Sequence, residues 1–388
     1  MAQRNASRRR QQKGESFMDY SLLFIVLFLV GFGMVMVFSS SSYEANLKMG
    51  DSTSYLRQQL FASILGLVAM MVVANIPYHF WERFAVPAYI GSVVLILLII
   101  PFGHSSGGAT RWLYIAGISL QVAEVAKLGM ILFLASLICK MGKNIRTNKG
   151  FFTVLGFPTV VAGMIYVITN NLSSAIIVMA IAVLMLFVSC PDYKRFFLMG
   201  GSVLVVAAIL VFYVIQTAEA HVDDLDFRGV RILAWRDPEA YSSDTGFQTL
   251  QALYAIGSGG VLGKGLGQSM QKRGFLPEAQ NDMIFSIICE ELGLFGGIAV
   301  IIMFLMLIWR LMIIANNAPD LYGALLVVGV MGHIAVQVIL NIAVVTNTIP
   351  NTGISLPFIS YGGSSVMFLL IEIGITLSVA KGIRLKDL

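Results

Sequence analysis

The sequence predicts an all-α membrane protein, a bundle of about ten transmembrane helices with a long loop before the eighth. Two observations predict this fold. Of the 388 residues, 57% are apolar and only 12% are charged, whereas soluble domains typically carry about 25% charged residues. The apolar residues also form runs of roughly 17–25 residues, the length of a helix that crosses a bilayer. The composition therefore excludes a soluble globular domain.

About ten apolar runs are long enough to span a membrane as helices. The first is longer than the apolar core of a signal peptide, about 7–15 residues, so we expect a membrane helix rather than a cleaved leader. Only the segment TNNLSS separates the fifth and sixth runs, which predicts a tight turn or a pair of short helices. The predicted helices lie near 19–40, 58–76, 85–101, 121–138, 151–169, 172–190, 196–215, 284–309, 321–345 and 361–380.

Lysine and arginine predict the orientation of the bundle, because cytoplasmic segments of membrane proteins are enriched in them. With the N-terminus inside, most of the 26 basic residues fall on the cytoplasmic side. We therefore expect a basic cytoplasmic tail at 1–18, a membrane domain at 19–381 and a short cytoplasmic tail at 382–388. Topology is favoured over an anion-binding patch as the explanation of the basic tail, and no nucleic-acid partner is predicted.

The long loop, residues 216–283, is extracellular in this orientation. It carries acidic and basic side chains along its length, so it must lie outside the hydrocarbon. Loops this long that contain elements of their own are usually functional. The spacing of its apolar residues predicts two helices at the membrane surface, near 225–236 and 246–256.

A glycine-rich segment in this loop, AIGSGGVLGKGLGQ (255–268), superficially resembles a phosphate-binding loop. Ser258 stands where that motif requires glycine, and Gly265 stands where it requires Ser or Thr. We therefore predict a turn in which glycine allows close packing of the backbone, and no nucleotide site. The three cysteines are far apart, and no cluster of His, Cys or carboxylate residues has the spacing of metal ligands, so no metal site is predicted.

Three charged residues lie near a predicted membrane boundary: Arg111 just outside it, and Glu124 and Lys127 at membrane depth. Glu124 and Lys127 are three residues apart and share one face of a helix. They form either a structural ion pair or a site in which Lys127 faces an anionic ligand and Glu124 positions it. Arg111, which precedes Trp112, is suited to a phosphate or pyrophosphate group.

Asp282 directly precedes the eighth apolar run and has two interpretations. Asn281 or Asp282 could cap the helix, in which case mutation would cost only stability. Alternatively, desolvation at the membrane boundary raises the pKa of Asp282 and makes it a general base, although the helix N-terminus opposes that shift. The residues alone leave the two interpretations equally weighted. Deeper in the predicted helices, at least one of Glu290 and Glu291 is expected to face the bundle interior, because exposing a carboxylate to lipid is costly. The same argument applies to Glu372 in the last helix.

Four segments together resemble the FtsW/RodA family, also called SEDS proteins, and they occur in the family's order. The resemblance covers about residues 19–381, and QSMQK, LPEAQNDMIF and LPFISYGGSS are more similar to the division branch, FtsW, than to the elongation branch, RodA. The segments are GATRWLYIAGISLQVAEVAK, GFQTLQALYAIGSGGVLGKGLGQSMQKRGFLPEAQNDMIF, EELGLFGG and LPFISYGGSS.

The resemblance implies a peptidoglycan glycosyltransferase that polymerises lipid II on the outer face of the bacterial plasma membrane. The family's catalytic aspartate matches Asp282, so the resemblance favours the interpretation of Asp282 as a general base over that of a helix cap. Cations placed in advance would stabilise the charge that develops on the leaving pyrophosphate. The residues predicted to bind substrate are Arg111, Glu124, Lys127, Gln248, Lys272 and Arg273.

The resemblance also implies partners and a location. These are a class B penicillin-binding protein, which is a transpeptidase, other divisome membrane proteins, membrane lipids and the division septum. No cofactor is certain; a divalent cation, Mg or Mn, is a candidate without an identified ligand set. The alternatives are a RodA-type elongation polymerase, a lipid II flippase or other transporter, and a division scaffold without catalysis.

Two segments depart from the family pattern. Val122 and Ala123 replace the proline and serine that often precede the glutamate at 124. Residues 170–174, NNLSS, replace a segment that carries an acidic residue in many relatives, so a metal or substrate role for that position is doubtful here.

Overall fold

The computed structural model describes residues 18–106, 109–115, 118–218, 227–241 and 245–383. Within these ranges the chain forms twelve α-helices and three short strands, with 3₁₀ helices at Tyr78–Phe84 and Gly142–Arg146. The elements are α1 (Tyr20–Met49), α2 (Ser54–Asn75), α3 (Ala85–Phe102), β1 (His104–Ser106), β2 (Ala109–Ile115), β3 (Ile118–Gln121), α4 (Val122–Met141), α5 (Asn148–Thr169), α6 (Leu172–Ser189), α7 (Tyr193–Ala218), α8 (Phe227–Arg236), α9 (Thr245–Gly259), α10 (Ile284–Asn316), α11 (Leu321–Val345) and α12 (Gly363–Ala380).

Ten of the described helices are long and apolar enough to cross a membrane, which confirms the predicted bundle. The other two, α8 and α9, match the helices predicted near 225–236 and 246–256. α1 continues well beyond its predicted end at residue 40, because hydropathy marks the part of a helix at hydrocarbon depth and not its polar extension. The tails predicted at 1–18 and 382–388 lie almost wholly outside the described residues.

The centre of the bundle consists of α4, α11 and α12, whose residues are mostly buried. α7 is exposed along most of its length and therefore lies at the periphery. The buried apolar residues of the spanning helices join into a single hydrophobic core. Buried polar and charged side chains also lie among these helices, and those of Glu124, Lys127, Asp282 and Asn341 belong to the candidate site described below.

A small antiparallel sheet lies between α3 and α4 and was not predicted, because the sequence indicated only helices. Its strands follow the order β1-β2-β3, and Trp112 of β2 pairs with Gln121 of β3. In β2 the side chain of Leu113 is buried, whereas that of Tyr114 is exposed, as expected for alternating residues of a strand. The strands are short and lie between two strongly apolar helices, so their alternating pattern is not visible in a hydropathy profile. The sheet places Arg111 over one end of the bundle.

α10 is interrupted at Gly293, whose backbone angles are not helical (φ 69°, ψ −166°). The glycine turn, residues 260–267, takes over the hydrogen bonds that the helix loses there. Four backbone bonds join the two segments: Lys264 N to Glu290 O (3.0 Å), Gly265 N to Glu291 O (2.9 Å), Leu294 N to Gly260 O (2.9 Å) and Phe295 N to Val261 O (3.4 Å).

The glycines make this contact possible because side chains would separate the two backbones. A Cβ atom at Gly263 would lie 2.3 Å from the carbonyl oxygen of Glu291, and Gly263 has a φ of +81°. The glycine-rich segment thus packs its backbone closely against its neighbour, as predicted. The hydrogen bonds from the glycine turn thus satisfy backbone groups that the interruption of α10 would otherwise leave unpaired.

The polar connections gather at one end of the bundle, which we call the loop face and define by the described residues 104–106, 109–115, 118–121, 169–174, 227–241, 245–283 and 346–362. Ser173 Oγ donates a hydrogen bond to Thr352 O. Tyr361 N donates to Gln280 O at 2.9 Å. Segments far apart in the chain therefore meet over the ends of the same helices.

Candidate functional site

Asp282 lies on the loop face, two residues before α10 begins. Its side chain is 9% exposed, and Gln248 Nε2 lies 3.4 Å from its Oδ1. The residue that precedes α10 is Met283, and no side-chain hydrogen bond caps the helix there. The interpretation of Asn281 or Asp282 as a helix cap is therefore wrong, and the carboxylate of Asp282 is directed toward α9.

Burial raises the pKa of Asp282 to about 7, and the nearby carboxylate of Glu278 contributes to the increase. The guanidinium of Arg231 and the backbone N–H groups of Asp282 and Met283 act in the opposite direction. A carboxylate with a pKa near neutrality is ionised in a substantial fraction of molecules and still basic enough to accept a proton.

α11 supports the segment that carries Asp282 through Asn341, which is fully buried. Asn341 Nδ2 donates to Asp282 O at 2.8 Å and to Ile354 O at 2.6 Å. One helical turn away, Gln337 Nε2 donates to Ser355 O at 3.0 Å. Both amides thus fix the loop 351–356 next to Asp282.

Glu124 and Lys127 form a buried ion pair on α4, with Lys127 Nζ 2.7 Å from Glu124 Oε1. Their exposed fractions are 4% and 1%, and the second carboxylate oxygen of Glu124 has no hydrogen-bond partner. Lys127 Nζ also lies 3.4 Å from Gln337 Oε1. Gln337 and Asn341 are four residues apart on α11, so the same helix face contacts both the ion pair and the Asp282 segment.

Arg111 connects the small sheet to the turn between α5 and α6. Its Nε donates to Thr169 O at 3.3 Å, and its Nη2 donates to Asn170 O at 3.0 Å. These bonds place the guanidinium on the loop face. A guanidinium has five N–H donors, so the two bonds leave donors for an anionic ligand.

Lys272 lies in a separate cluster and not beside Asp282. Its Nζ is 2.6 Å from Glu291 Oε1 and 2.9 Å from Ser39 Oγ. Glu291 is about 10 Å further along α10 than the first residue of the helix, at 1.5 Å per residue. The structure thus separates Lys272 from Asp282, with which it was predicted to share a substrate site.

Arg273 is exposed and, together with Lys272, lines a cavity of about 690 Å³ beside α1. One part of the lining is polar and contains Ser42, Tyr43 and Asn46, whereas Val35, Phe38 and Leu266 are apolar. A cavity with both kinds of wall suits an amphiphile with an anionic head group.

The sequence analysis did not identify Asn341, although a signal for it was present. It stands in the apolar segment VILNIAVV of a predicted spanning helix. Polar residues at such positions usually face the protein interior and contribute to function. Glu290 and Glu372 are buried as expected: Glu290 pairs with Lys264 at 2.7 Å, and Glu372 contacts His333 at 2.8 Å.

Comparison with known proteins gives consistent matches over nearly the whole chain. Residues 20–384 match the family FTSW_RODA_SPOVE, described as "Cell cycle protein". Stage V sporulation protein E of Bacillus subtilis is 37% identical over 366 residues, which are 94% of this chain and 97% of that protein. A probable peptidoglycan glycosyltransferase FtsW of Geobacter metallireducens is 37% identical over 364 residues, 93% of this chain and 94% of that protein.

Two solved structures share the fold. A chain of a peptidoglycan synthase complex that coordinates polymerization and crosslinking superimposes with a TM-score of 0.74 at 25% identity, covering 94% of this chain and 97% of that chain. The rod shape determining protein RodA of Thermus thermophilus superimposes with a TM-score of 0.65 at 24% identity, covering 94% of this chain and 96% of that chain. The bundle of ten spanning helices is therefore a known architecture.

Proposed function

Because the chain belongs to the FtsW/RodA/SpoVE family of cell cycle proteins, we propose that it is a peptidoglycan glycosyltransferase that polymerises lipid II. The observation that carries the proposal is the position of Asp282, a buried carboxylate on the loop face with a pKa of about 7. Relatives named as probable peptidoglycan glycosyltransferases, at 36–37% identity over most of the chain, support the reaction class.

In the proposed reaction Asp282 is the general base. It accepts the proton of the 4-hydroxyl of the acceptor N-acetylglucosamine, and that oxygen attacks the anomeric carbon of the donor N-acetylmuramic acid. The bond to undecaprenyl pyrophosphate breaks, and the leaving group carries away the electron pair. Inversion of an α-linked donor gives a β-1,4 linkage. General-base assistance typically contributes a factor of about 10²–10⁴.

One cation on the loop face and one buried in α4 would stabilise the charge that develops on the pyrophosphate. Lys127 and Arg111 are proposed for this role, because α11 connects the Lys127 pair with the Asp282 segment and Arg111 is held on the same face. Lys272 and Arg273 line the mixed cavity instead, and we assign them to binding the phosphate end of a lipid-linked substrate. Gln248 contacts Asp282 and is placed to contact the acceptor sugar.

Among the described residues, no group of three or more His, Cys, Asp and Glu side chains could hold a metal ion. These residues therefore do not provide a complete metal site by themselves, and no step of the proposed reaction is assigned to a metal.

The purified protein is expected to form glycan polymer from lipid II, with a rate that decreases as the pH falls through about 7. The direction follows because only the ionised carboxylate can accept a proton. Below its pKa, kcat/KM should fall about tenfold per pH unit. Polymer formation is measured by chain length on gels, and its pH dependence by the initial rate at several pH values. Both measurements are made with the protein alone and with a class B penicillin-binding protein.

A pH-independent rate across about two units on either side of 7 would contradict the assignment of the base. Transport of lipid II between membrane leaflets without polymer would favour the transporter instead. The observation that favours a transporter is the fully buried contact between His333 of α11 and Glu372 of α12, because the proposed reaction does not use this ionisable pair.

We propose that both termini are cytoplasmic and that the loop face is extracellular, at the division septum. In Ser258→Cys, the new thiol should react with a membrane-impermeant reagent in intact cells, because residue 258 is exposed on α9. Lys140→Cys, at the other end of α4 from Glu124, should react only after permeabilisation. Both are made with Cys139→Ser, since Cys139 is partly exposed. If residue 140 reacts in intact cells and residue 258 reacts only after permeabilisation, the proposed topology is inverted.

A partner that crosslinks glycan is proposed from the solved neighbour, which is part of a complex coordinating polymerization and crosslinking. The class B penicillin-binding protein implied by the resemblance has this chemistry. Division is the proposed setting, and the several relatives named FtsW support it over elongation.

A further inference from the structure

A chain of three hydrogen bonds leads from the backbone to the carboxylate of Asp282. Gly353 N donates to Asn351 Oδ1 at 3.0 Å. Asn351 Nδ2 donates to Gln248 Oε1 at 2.8 Å. Gln248 Nε2 donates to Asp282 Oδ1 at 3.4 Å. The chain joins the loop before α12, the helix α9 and the segment before α10.

The direction of this chain is fixed at its backbone end. A backbone N–H can only donate, so Asn351 must present its oxygen to Gly353 and its NH₂ group to Gln248. Gln248 must then present its oxygen to Asn351, which leaves its own NH₂ group for Asp282. The same NH₂ group also lies 3.4 Å from Pro277 O, an acceptor that favours the same orientation.

The loop that contains Asn351 is anchored independently of Gln248. Arg231 Nη1 of α8 donates to Asn351 O at 3.1 Å. Further along the loop, Asn341 and Gln337 of α11 hold the carbonyl groups of Ile354 and Ser355. Asn351 is therefore a fixed support for the carboxamide of Gln248.

We infer that Asn351 is a positioning residue for the reaction, which orients the carboxamide of Gln248 so that an N–H donor faces the carboxylate of Asp282. The inference rests on the proposed role of Asp282 as the base. A donor at this position restricts the rotation of the carboxylate. It also stabilises the ionised form, which is the form that accepts a proton, against the opposing effect of burial.

Asn351→Asp tests the inference because the new carboxylate can still accept from Gly353 but has no donor for Gln248. The carboxamide of Gln248 is then expected to rotate, donate to residue 351 and turn its oxygen toward Asp282. The acid limb of the kcat/KM profile should move up by about one pH unit, so kcat/KM falls about fivefold at pH 7 and about tenfold well below it. Activity should recover at higher pH, a result that a loss of folding would not produce.

Asn347→Asp is the matched control. Asn347 lies in the same loop, and its Nδ2 donates to Trp235 O at 3.2 Å, away from Gln248. The control introduces the same charge and removes the same kind of donor, yet it should leave the acid limb unchanged. An acid limb that does not move in Asn351→Asp, or that moves equally in both variants, would overturn the inference.

A second measurement uses uncharged variants. Asn351→Leu and Gln248→Ala should each lower kcat/KM, and the double variant should be no slower than Gln248→Ala, because Asn351 acts only through Gln248. Multiplicative losses would show that Asn351 acts independently. The failure of the proposed function gives different results: either the wild type forms no polymer, or Asp282→Asn polymerises lipid II. Failure of this inference alone leaves the wild type active and Asp282→Asn inactive.

Discussion

Replacing Asp282 with Asn is expected to lower the rate of lipid II polymerisation by about 10²–10⁴-fold, which is the typical contribution of a general base. The substitution keeps the size of the side chain and removes its basicity. The carboxamide can turn its oxygen toward Gln248 and retain that contact, and the backbone contact with Asn341 is unaffected. The fold and the binding of lipid II should therefore persist. The measurements are the initial polymerisation rate, lipid II affinity and the thermal midpoint in detergent.

Asp320→Asn is the matched control for this substitution. Asp320 also precedes a helix, α11, and accepts from Gly323 N at 2.8 Å. Asn is as good a helix cap as Asp, so this variant should keep polymerisation. Its thermal midpoint should fall slightly, because the Oδ2 contacts of Asp320 with Tyr78 and His79 are lost. Normal polymerisation by Asp282→Asn would exclude a role for Asp282 as the base.

The second large effect is expected at the buried ion pair of α4. Lys127→Met should destabilise the protein by about 3–5 kcal/mol, because it leaves the carboxylate of Glu124 buried without its partner. It should also abolish polymerisation. The double variant Lys127→Met with Glu124→Gln removes both charges and should regain most of the stability, since apolar or neutral replacements of a buried pair are often tolerated.

Polymerisation by the double variant separates the two interpretations of this pair. If Lys127 stabilises the leaving pyrophosphate, the double variant stays inactive although its thermal midpoint has recovered. If the pair is only structural, activity returns with stability. The exposed pair Lys48 and Glu44 provides the control, because the corresponding double variant there should change neither property measurably.

The bundle could be predicted from the sequence because membrane-spanning helices require long apolar runs, and few alternatives exist for such segments. The surface helix α8 was predictable too, since the apolar residues of FRGVRILAW recur at helical spacing. The strands around Arg111 were not predicted: they are short, and backbone pairing between them determines their structure more than hydropathy does.

The candidate site was predictable only in part. Asp282 could be singled out because a carboxylate beside an apolar run is unusual, and the resemblance then gave it a role. Lys272 is separated from Asp282 because its side chain pairs with Glu291 of α10, a contact that the path of the long loop makes possible. The contact of Asn351 with Gln248 likewise joins a loop residue to a helix that is distant from it in the sequence. No local pattern encodes such contacts, because they follow from how the helices pack.

The hydrogen bonds between the glycine turn and the interrupted helix α10 limit where this protein can be extended or tagged. Long connections between membrane helices are usually the places where inserted peptides are tolerated. Here residues 260–267 complete the backbone of α10, so an insertion among them would leave the carbonyl groups of Glu290 and Glu291 without their donors. This stretch of a nominal loop therefore has the length constraint of a core element.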